Sequence, residues 1–480
     1  MPTTSSRPPS RPSDAFDLPL TLSADPANQG RRVDLALREA ILGGRLAAGS
    51  RLPSSRSLAA QLGVQRNAVV VAYESLQADG LVEGRTGAGT YVAARLPRPP
   101  DAAPSRPPRI ALPRNGLVAL GRTAIDPVLM RRLGRALRRQ TLAGSADTLG
   151  YGDPRGSREL REALAGQLAS SRGLHCHADQ IIVTSGTQPA LRLIAAALLR
   201  PGDRVGVEDP GYPVAHHTLR QAGLALEPMP IDAQGLDIER ASATARRARA
   251  IYVTPSNQFP SGVTMTLQRR IALVEWARRH DAWIIEDDYD NEFRYEGPPL
   301  TALAGMSGDR VLYLGTFSKT LFAALRLAYV VLPMSIVERV VALRAAFDRF
   351  PPSLPERAVA ELLADGSLRA HHRRMRSRYR HARDLLADAL RRAAGPALTL
   401  VVPAQGLHLL ACLPERAPAS LAGRIRERAG LDVWLLSETR LRSQGPDGFV
   451  LGFAGHDDAR IRQAADALGQ TAREALGALP

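Results

Sequence analysis

The chain has 480 residues, 45% of them apolar, and a formal net charge of +16. That length and apolar content suit roughly two to four packed domains, and two cysteines, Cys176 and Cys412, are too few for a disulfide framework. No apolar run approaches the ~18 residues of a membrane span, and the opening MPTTSSRPPSRPSDAF lacks the apolar centre of a signal peptide; a soluble, cytoplasmic protein with a polyanionic partner is expected.

Residues 1–27, rich in Ser, Pro and Arg, are expected to be disordered. A compact unit over 28–92 follows. Arg32 to Leu42 has a helical apolar period closed by Gly43 and Gly44, and Ser54 or Ser55 can cap a second helix running to Leu62. After the turn at Gly63, Val69, Ala72, Tyr73 and Leu76 fall at helical spacing up to Gly80. LVEG and TYV then read as two strands around the turn RTGAG. Helix, turn, helix and hairpin make a winged helix-turn-helix. The opening of its third helix, GVQRNAV, places Gln65, Arg66 and Asn67 where hydrogen-bonding groups meet base edges and phosphates.

Residues 93–114 carry seven prolines and five arginines in 22 positions. This segment reads as a semi-rigid linker of up to roughly 60 Å. From 115 to 480 the texture is α/β: IIVTSG, DRVGVEDP, RAIYVTP, AWIIEDDY, RVLYLGTFSK and LAYVVLP are short apolar strands between helices, as in a mostly parallel sheet. Helices follow from about residue 345, then a final αβ portion.

Lys319, in GTFSKTLF, is the single lysine among 63 basic residues, so 62 are arginine. A solvated charge could be arginine; a primary amine that loses its proton and attacks carbonyls could not. The amine follows one strand, and Asp287 and Tyr289 follow another, where a carboxylate can hold a pyridine nitrogen protonated and a phenol can bond a ring hydroxyl. The paired acids could instead bind a metal, a weaker reading with so few histidines nearby. SGTQPALRL offers amides at a helix start for a phosphate, with Arg326 as the cation and the hydroxyls of Thr316 and Ser318 beside the lysine. Tyr212, in EDPGYP, can lie against a conjugated ring or be an ordinary loop tyrosine.

SGTQ, EDPGYP, TPSNQFPSG, IIEDDYDNEFRY and TFSKTLFAALRLAY resemble, in order and spacing, the fold-type I aminotransferase-like domain of MocR/GabR-type regulators. The stretch from LREAILGGRL to YESLQADG resembles their GntR-type winged helix. The resemblance implies pyridoxal 5'-phosphate as cofactor, with Lys319 as its Schiff-base lysine, Asp287 at the pyridine nitrogen, Tyr289 at the ring hydroxyl and Tyr212 on the ring. Gly186, Thr187, Thr316 and Arg326 would surround the phosphate. Tyr151, in YGDPRG, resembles a tyrosine that reaches the phosphate of a partner subunit, implying a domain-swapped homodimer. Arg56, Gln65, Arg66 and Asn67 match DNA-contacting positions, with Gly87 and Gly89 in the wing.

Three positions depart from the pattern. Asn257 and Ala68 stand where these regulators commonly have His and Thr, and Val450 in FVLGFA stands where related aminotransferases place an arginine for the substrate carboxylate. Arg440 or Arg442 is the candidate substitute at an effector. The expectation is a transcriptional regulator that binds operator DNA and senses an amino compound or pyridoxal phosphate at Lys319, with weak or vestigial transaminase activity. The competing reading is a working aminotransferase with an appended DNA-binding domain.

Overall fold

The computed structural model describes residues 20, 22, 28–94, 96, 118, 119, 121–145, 149–298 and 300–477. The chain divides into two compact units, 1–110 and 111–480. The expected disordered segment 1–27, apart from residues 20 and 22, and most of the expected linker 93–114 lie outside the described residues.

The first unit holds helices α1 (Gln29–Leu42), α2 (Ser55–Leu62) and α3 (Arg66–Ala78), then strands β1 (Val82–Arg85) and β2 (Gly89–Val92). Helix α1 starts earlier than its apolar period suggests, because the Asn28 side chain accepts from Arg31 N and caps it. The Ser54 side chain caps α2 in the same way, accepting from Ser57 N, and Gly63 ends that helix in the left-handed region at φ 65°. Val33, Leu37, Ile41, Leu58, Val69 and Leu76 form a closed core. Strands β1 and β2 pair antiparallel from Val82 with Val92 to Arg85 with Gly89. The turn between them uses Gly87 and Gly89 at φ 76° and 107°, values that L side chains avoid.

The second unit opens with α4 (Pro127–Leu142) and α5 (Arg158–Arg172). Its eight-stranded sheet is built from β3 (Ile181–Thr184), β4 (Arg204–Asp209), β5 (Ala225–Asp232), β6 (Gly235–Leu236), β7 (Ala250–Val253), β8 (Trp283–Asp287), β9 (Val311–Thr316) and β10 (Ala328–Val331). Their spatial order is β3-β10-β9-β8-β7-β4-β5-β6. Strands β4, β5, β7, β8 and β9 run parallel, while β10 is antiparallel to both its neighbours.

Alternation along the strands makes the sheet the middle of three layers. Ile181, Val183, Val311 and Tyr313 join a core with α4, α5, α8 (Leu267–Arg279) and α10 (Ser353–Ala364). Ile182, Leu312 and Leu314 join a separate core with α6 (Thr187–Leu198), α7 (Pro213–Gln221) and α9 (Met334–Phe347). Strand β5 has no counterpart in the sequence reading, because Pro228 and Pro230 remove two ladder donors and argue against a strand. Both residues nonetheless hold register with β4, opposite Val207 and Asp209.

The long helix α11 (Ser367–Ala394) leads to a second sheet of order β11-β12-β14-β13, all antiparallel: β11 (Thr399–Val401), β12 (His408–Cys412), β13 (Trp434–Leu435) and β14 (Gly448–Gly452). Leu409, Ala411, Phe449 and Leu451 face α11 and α13 (Asp458–Gly477), whereas Leu410 and Val450 face Phe259. Helix α12 (Leu421–Arg428) completes that packing.

Leu37 is fully buried in the smaller core. Leu37→Ala should cost about 2–5 kcal/mol there through lost transfer energy and the cavity left behind. Thermal unfolding followed by calorimetry should show the loss confined to one transition, with the transition of the larger unit unchanged. A shift in both transitions would refute independent cores.

Candidate functional site

Parallel strands deliver their carboxyl ends to one edge, and β8 and β9 are adjacent, with Asp287 opposite Leu314. The loop after β9 therefore brings Ser318 and Lys319 beside Asp287. Around them lies a cavity of about 270 Å³ lined by Thr187, Tyr212, Asp287, Tyr289, Lys319 and Arg326, among others.

At one end α6 begins at Thr187, after Gly186 at φ 133°. A Cβ on Gly186 would stand 3.0 Å from Arg326 Nη2, so glycine admits the guanidinium to the helix start. Arg326 adopts φ 52°, an uncommon conformation for a side chain of its size. Its guanidinium forms no hydrogen bond or ion pair among the described residues. The Thr316 hydroxyl accepts from Ser318 N at 3.1 Å, fixing the turn that presents Lys319. Backbone amides at a helix start with a free arginine suit a phosphate.

In the middle, Asp287 is 4% exposed. Its Oδ2 accepts from Tyr252 at 2.5 Å, while Oδ1 is buried without a partner. Burial pushes this carboxyl up to about 7, aided by Asp288 and opposed by the Tyr252 hydrogen bond and Lys319. A protonated ring nitrogen at Oδ1 would satisfy the orphaned atom and favour the carboxylate. Burial lowers the pKa of Lys319, against the attraction of Asp290 and Asp287, and so favours the nucleophilic neutral amine. Nζ reaches Gly121: a Cβ there would lie 3.4 Å from it.

The sequence reading missed the scaffold around Tyr289. Its hydroxyl donates to Asn257 O at 3.1 Å and accepts from Asn257 Nδ2 at 3.2 Å, and the same Nδ2 donates to Asp290 at 2.7 Å. Asn257, a departure from the family pattern, thus orients the phenol. Glu208 also escaped notice. It accepts from Thr254 N and Oγ1 and from Gln258 Nε2, and burial holds its carboxyl at about 7.

The remaining wall is apolar and aromatic. Tyr212 stacks on Trp434 with centroids 6.1 Å apart and meets Phe259 edge-on at 5.4 Å. Leu407 and His408 also line the cavity, and burial drives His408 down to about 4, leaving it neutral. Behind this wall Phe259, Leu410, Leu436 and Val450 form one cluster. Lys319 and Arg326 are the cations lining the cavity among the described residues.

Other sequence candidates lie elsewhere. Tyr151 is 80% exposed, beneath Arg349 and edge-on to Phe350. Arg440 donates to Gly445 O and Pro446 O, holding its own loop. The Arg442 side chain is exposed, and its backbone N donates to Asp209. Neither arginine lines the cavity. In the first unit Arg56, Gln65, Arg66 and Asn67 are all exposed around the start of α3, and Arg66 Nε donates to Ser55 at 3.3 Å. Gly87 and Gly89 form the hairpin turn.

Two family models match the chain: bacterial regulatory proteins of the gntR family over residues 29–92, and aminotransferase class I and II over 127–468. The probable rhizopine catabolism regulatory protein MocR of Rhizobium meliloti is 35% identical over 92% of this chain and 94% of its own. The pyridoxine biosynthesis transcriptional regulator PdxR of Corynebacterium glutamicum is 32% identical over 93% and 96%. Among solved structures, the α-aminoadipate aminotransferase LysN of Thermus thermophilus, complexed with N-(5'-phosphopyridoxyl)-L-leucine, is 25% identical. It covers 76% of this chain and 94% of its own, with a TM-score of 0.69.

Lys319→Arg retains a positive charge and removes the nucleophile. Borohydride treatment in the presence of pyridoxal phosphate should label the wild-type peptide that contains Lys319 and leave the variant unlabelled, at equal thermal stability. Labelling of the variant, read by mass spectrometry, would reject Lys319 as the attachment point.

Proposed function

Because the chain belongs to the gntR-family regulators that carry an aminotransferase class I and II domain, and is thus a pyridoxal phosphate-dependent transcriptional regulator, we propose that it senses a primary amine at Lys319. The supporting observation is the one lysine of the chain lining a cavity with the unpartnered Asp287 Oδ1. Asp287 would hold the ring nitrogen, Tyr289 the ring hydroxyl, Tyr212 the ring face, and Gly186, Thr187, Thr316, Ser318 and Arg326 the phosphate. When bound, pyridoxal phosphate supplies an aldehyde carbon that an incoming amine can take in place of Lys319.

With Lys319 and Arg326 committed to the cofactor, the effector end offers Phe259, Leu407, Trp434 and a neutral His408. An apolar amine suits that wall, and a carboxylate placed there would lose water without gaining a cation. Sensing also requires the amine to bind two conformations of the protein differently, since DNA affinity changes only by that difference. The reading includes a cytoplasmic, domain-swapped homodimer, supported by the exposure of Tyr151 outside its own chain's cavity.

Arg66→Ala should weaken operator binding by ~1–3 kcal/mol if Arg66 reads a base, and uniformly across sequences, with a shallower salt slope, if it meets phosphate. Fluorescence anisotropy against salt separates the two. Unchanged affinity would remove Arg66 from the interface.

Phenethylamine should shift the absorbance of the holo-protein at concentrations at least about tenfold below those phenylalanine requires, because only the amino acid must desolvate a carboxylate. Neither compound should be consumed repeatedly when a keto acid is supplied. A preference for phenylalanine would overturn the effector class, and sustained consumption would favour the working-enzyme reading.

A further inference from the structure

A second cavity, of about 780 Å³, opens in the larger unit between α5, residues 291–298 and 300, and the first turns of α11. Arg369, Arg373 and Arg376 line it at helical spacing on α11, and Arg294 lines it from the loop. Arg376 donates to Glu292 O at 3.0 and 2.9 Å. The Arg369 and Arg373 side chains are exposed and form no hydrogen bond or ion pair among the described residues.

A solvated arginine face would be unremarked in a chain with 62 arginines, but the cavity also contains buried nitrogens without partners; burial keeps His372 neutral, at about 3, so its Nε2 donates as the Nε2–H tautomer. His372 Nε2 and Gln405 Nε2 are unpartnered on side chains 7% and 3% exposed. Arg294 Nε is unpartnered as well, although Nη1 donates to Gln405 at 2.8 Å. Buried polar atoms in folded proteins almost always find a partner, so three orphaned nitrogens lining one cavity mark a place built for an acceptor. Arg172 adds no free charge, because its Nε stands 2.8 Å from Asp288 Oδ2. Glu292 is the carboxyl lining the cavity; burial, aided by Asp288 and opposed by Arg172 and Arg376, pushes it up to about 8, so near neutrality it is mostly protonated and repels an anion little.

We propose that this cavity is a second ligand site that takes a small phosphorylated anion, gripped by Arg369 and Arg373 and seated on the His372, Gln405 and Arg294 nitrogens. Donors converge from the helix and from the loop, whereas a planar carboxylate is served by one guanidinium fork. A tetrahedral oxyanion can accept from both walls at once. No residue lines both this cavity and the one around Lys319, so binding here can be read separately from the amine reading.

The test uses the full-length, cofactor-loaded protein, in which the phosphate site beside Arg326 is filled. Titration calorimetry with inorganic pyrophosphate should give saturable binding. Arg369→Gln with Arg373→Gln should weaken it by about tenfold or more, since two charge-assisted contacts are lost. The control is Arg380→Gln with Arg392→Gln, which removes the same charge from exposed positions of α11 outside the cavity and should bind as wild type. Absence of saturable binding, equal loss in both double variants, or tighter binding of succinate than of pyrophosphate would overturn the assignment.

Discussion

One carboxylate oxygen sets the chemistry of the larger unit. Asp287 sits at the end of a central strand, 4% exposed, with Oδ2 engaged by Tyr252 and Oδ1 facing no partner. Such an atom is costly in a dry interior unless a donor or a cation comes to it. The sheet order fixes where that group must sit, because β8 lies between β9 and β7. The β9 loop supplies Lys319, and the segment after β7 supplies Asn257, which holds Tyr289. A ring carrying a protonated nitrogen would give Asp287 Oδ1 the donor it lacks, with Lys319 and Tyr289 the residues that would hold the rest of it.

Much of this was legible before any coordinates. Apolar runs ending in EDD, GTFSK or SGTQ place polar groups at strand ends, and glycines at forced turns place the helix starts. The network behind them was not legible, since Asn257 and Asp290 are 33 positions apart and Tyr252 and Asp287 are 35 apart. Neither pair has a local signature. Strand β5 was hidden by its own prolines. Their missing donors do no harm where β6, two residues long, is the neighbour on the other side.

Val450 shows how one departure propagates. In the sequence it is a missing cation, for which Arg440 and Arg442 were candidates. In the fold it is fully buried against Phe259, Leu410 and Leu436, and Arg440 is spent on the carbonyls of Gly445 and Pro446. The loop that carries both arginines is pinned by Asp209, which accepts from Leu441 N, Arg442 N and Ser443 N at 2.8 Å each. Moving the Arg440 guanidinium toward the cavity would break the loop's own bonds, and neither arginine lines the cavity. The wall opposite the lysine is lined by Phe259, Leu407, His408 and Trp434.

Buried arginines elsewhere in the same unit do what a lysine could not. Arg270 donates to Met265 O, Thr301 O and Pro255 O through three different nitrogens. Arg161 holds Gly156 O and Ala178 O, and Arg344 donates to Val183 O from a side chain 1% exposed. These buried guanidinia clamp several backbone carbonyls in fixed directions, a task for a planar fork of five donors; an ammonium has three, on a flexible stem. The fork never gives up its proton, which makes it a dependable clamp and a useless nucleophile. At Lys319 burial lowers the pKa and so favours the neutral amine, against the attraction of Asp290 and Asp287. There the three-donor side chain with the movable pKa is the only basic residue that serves.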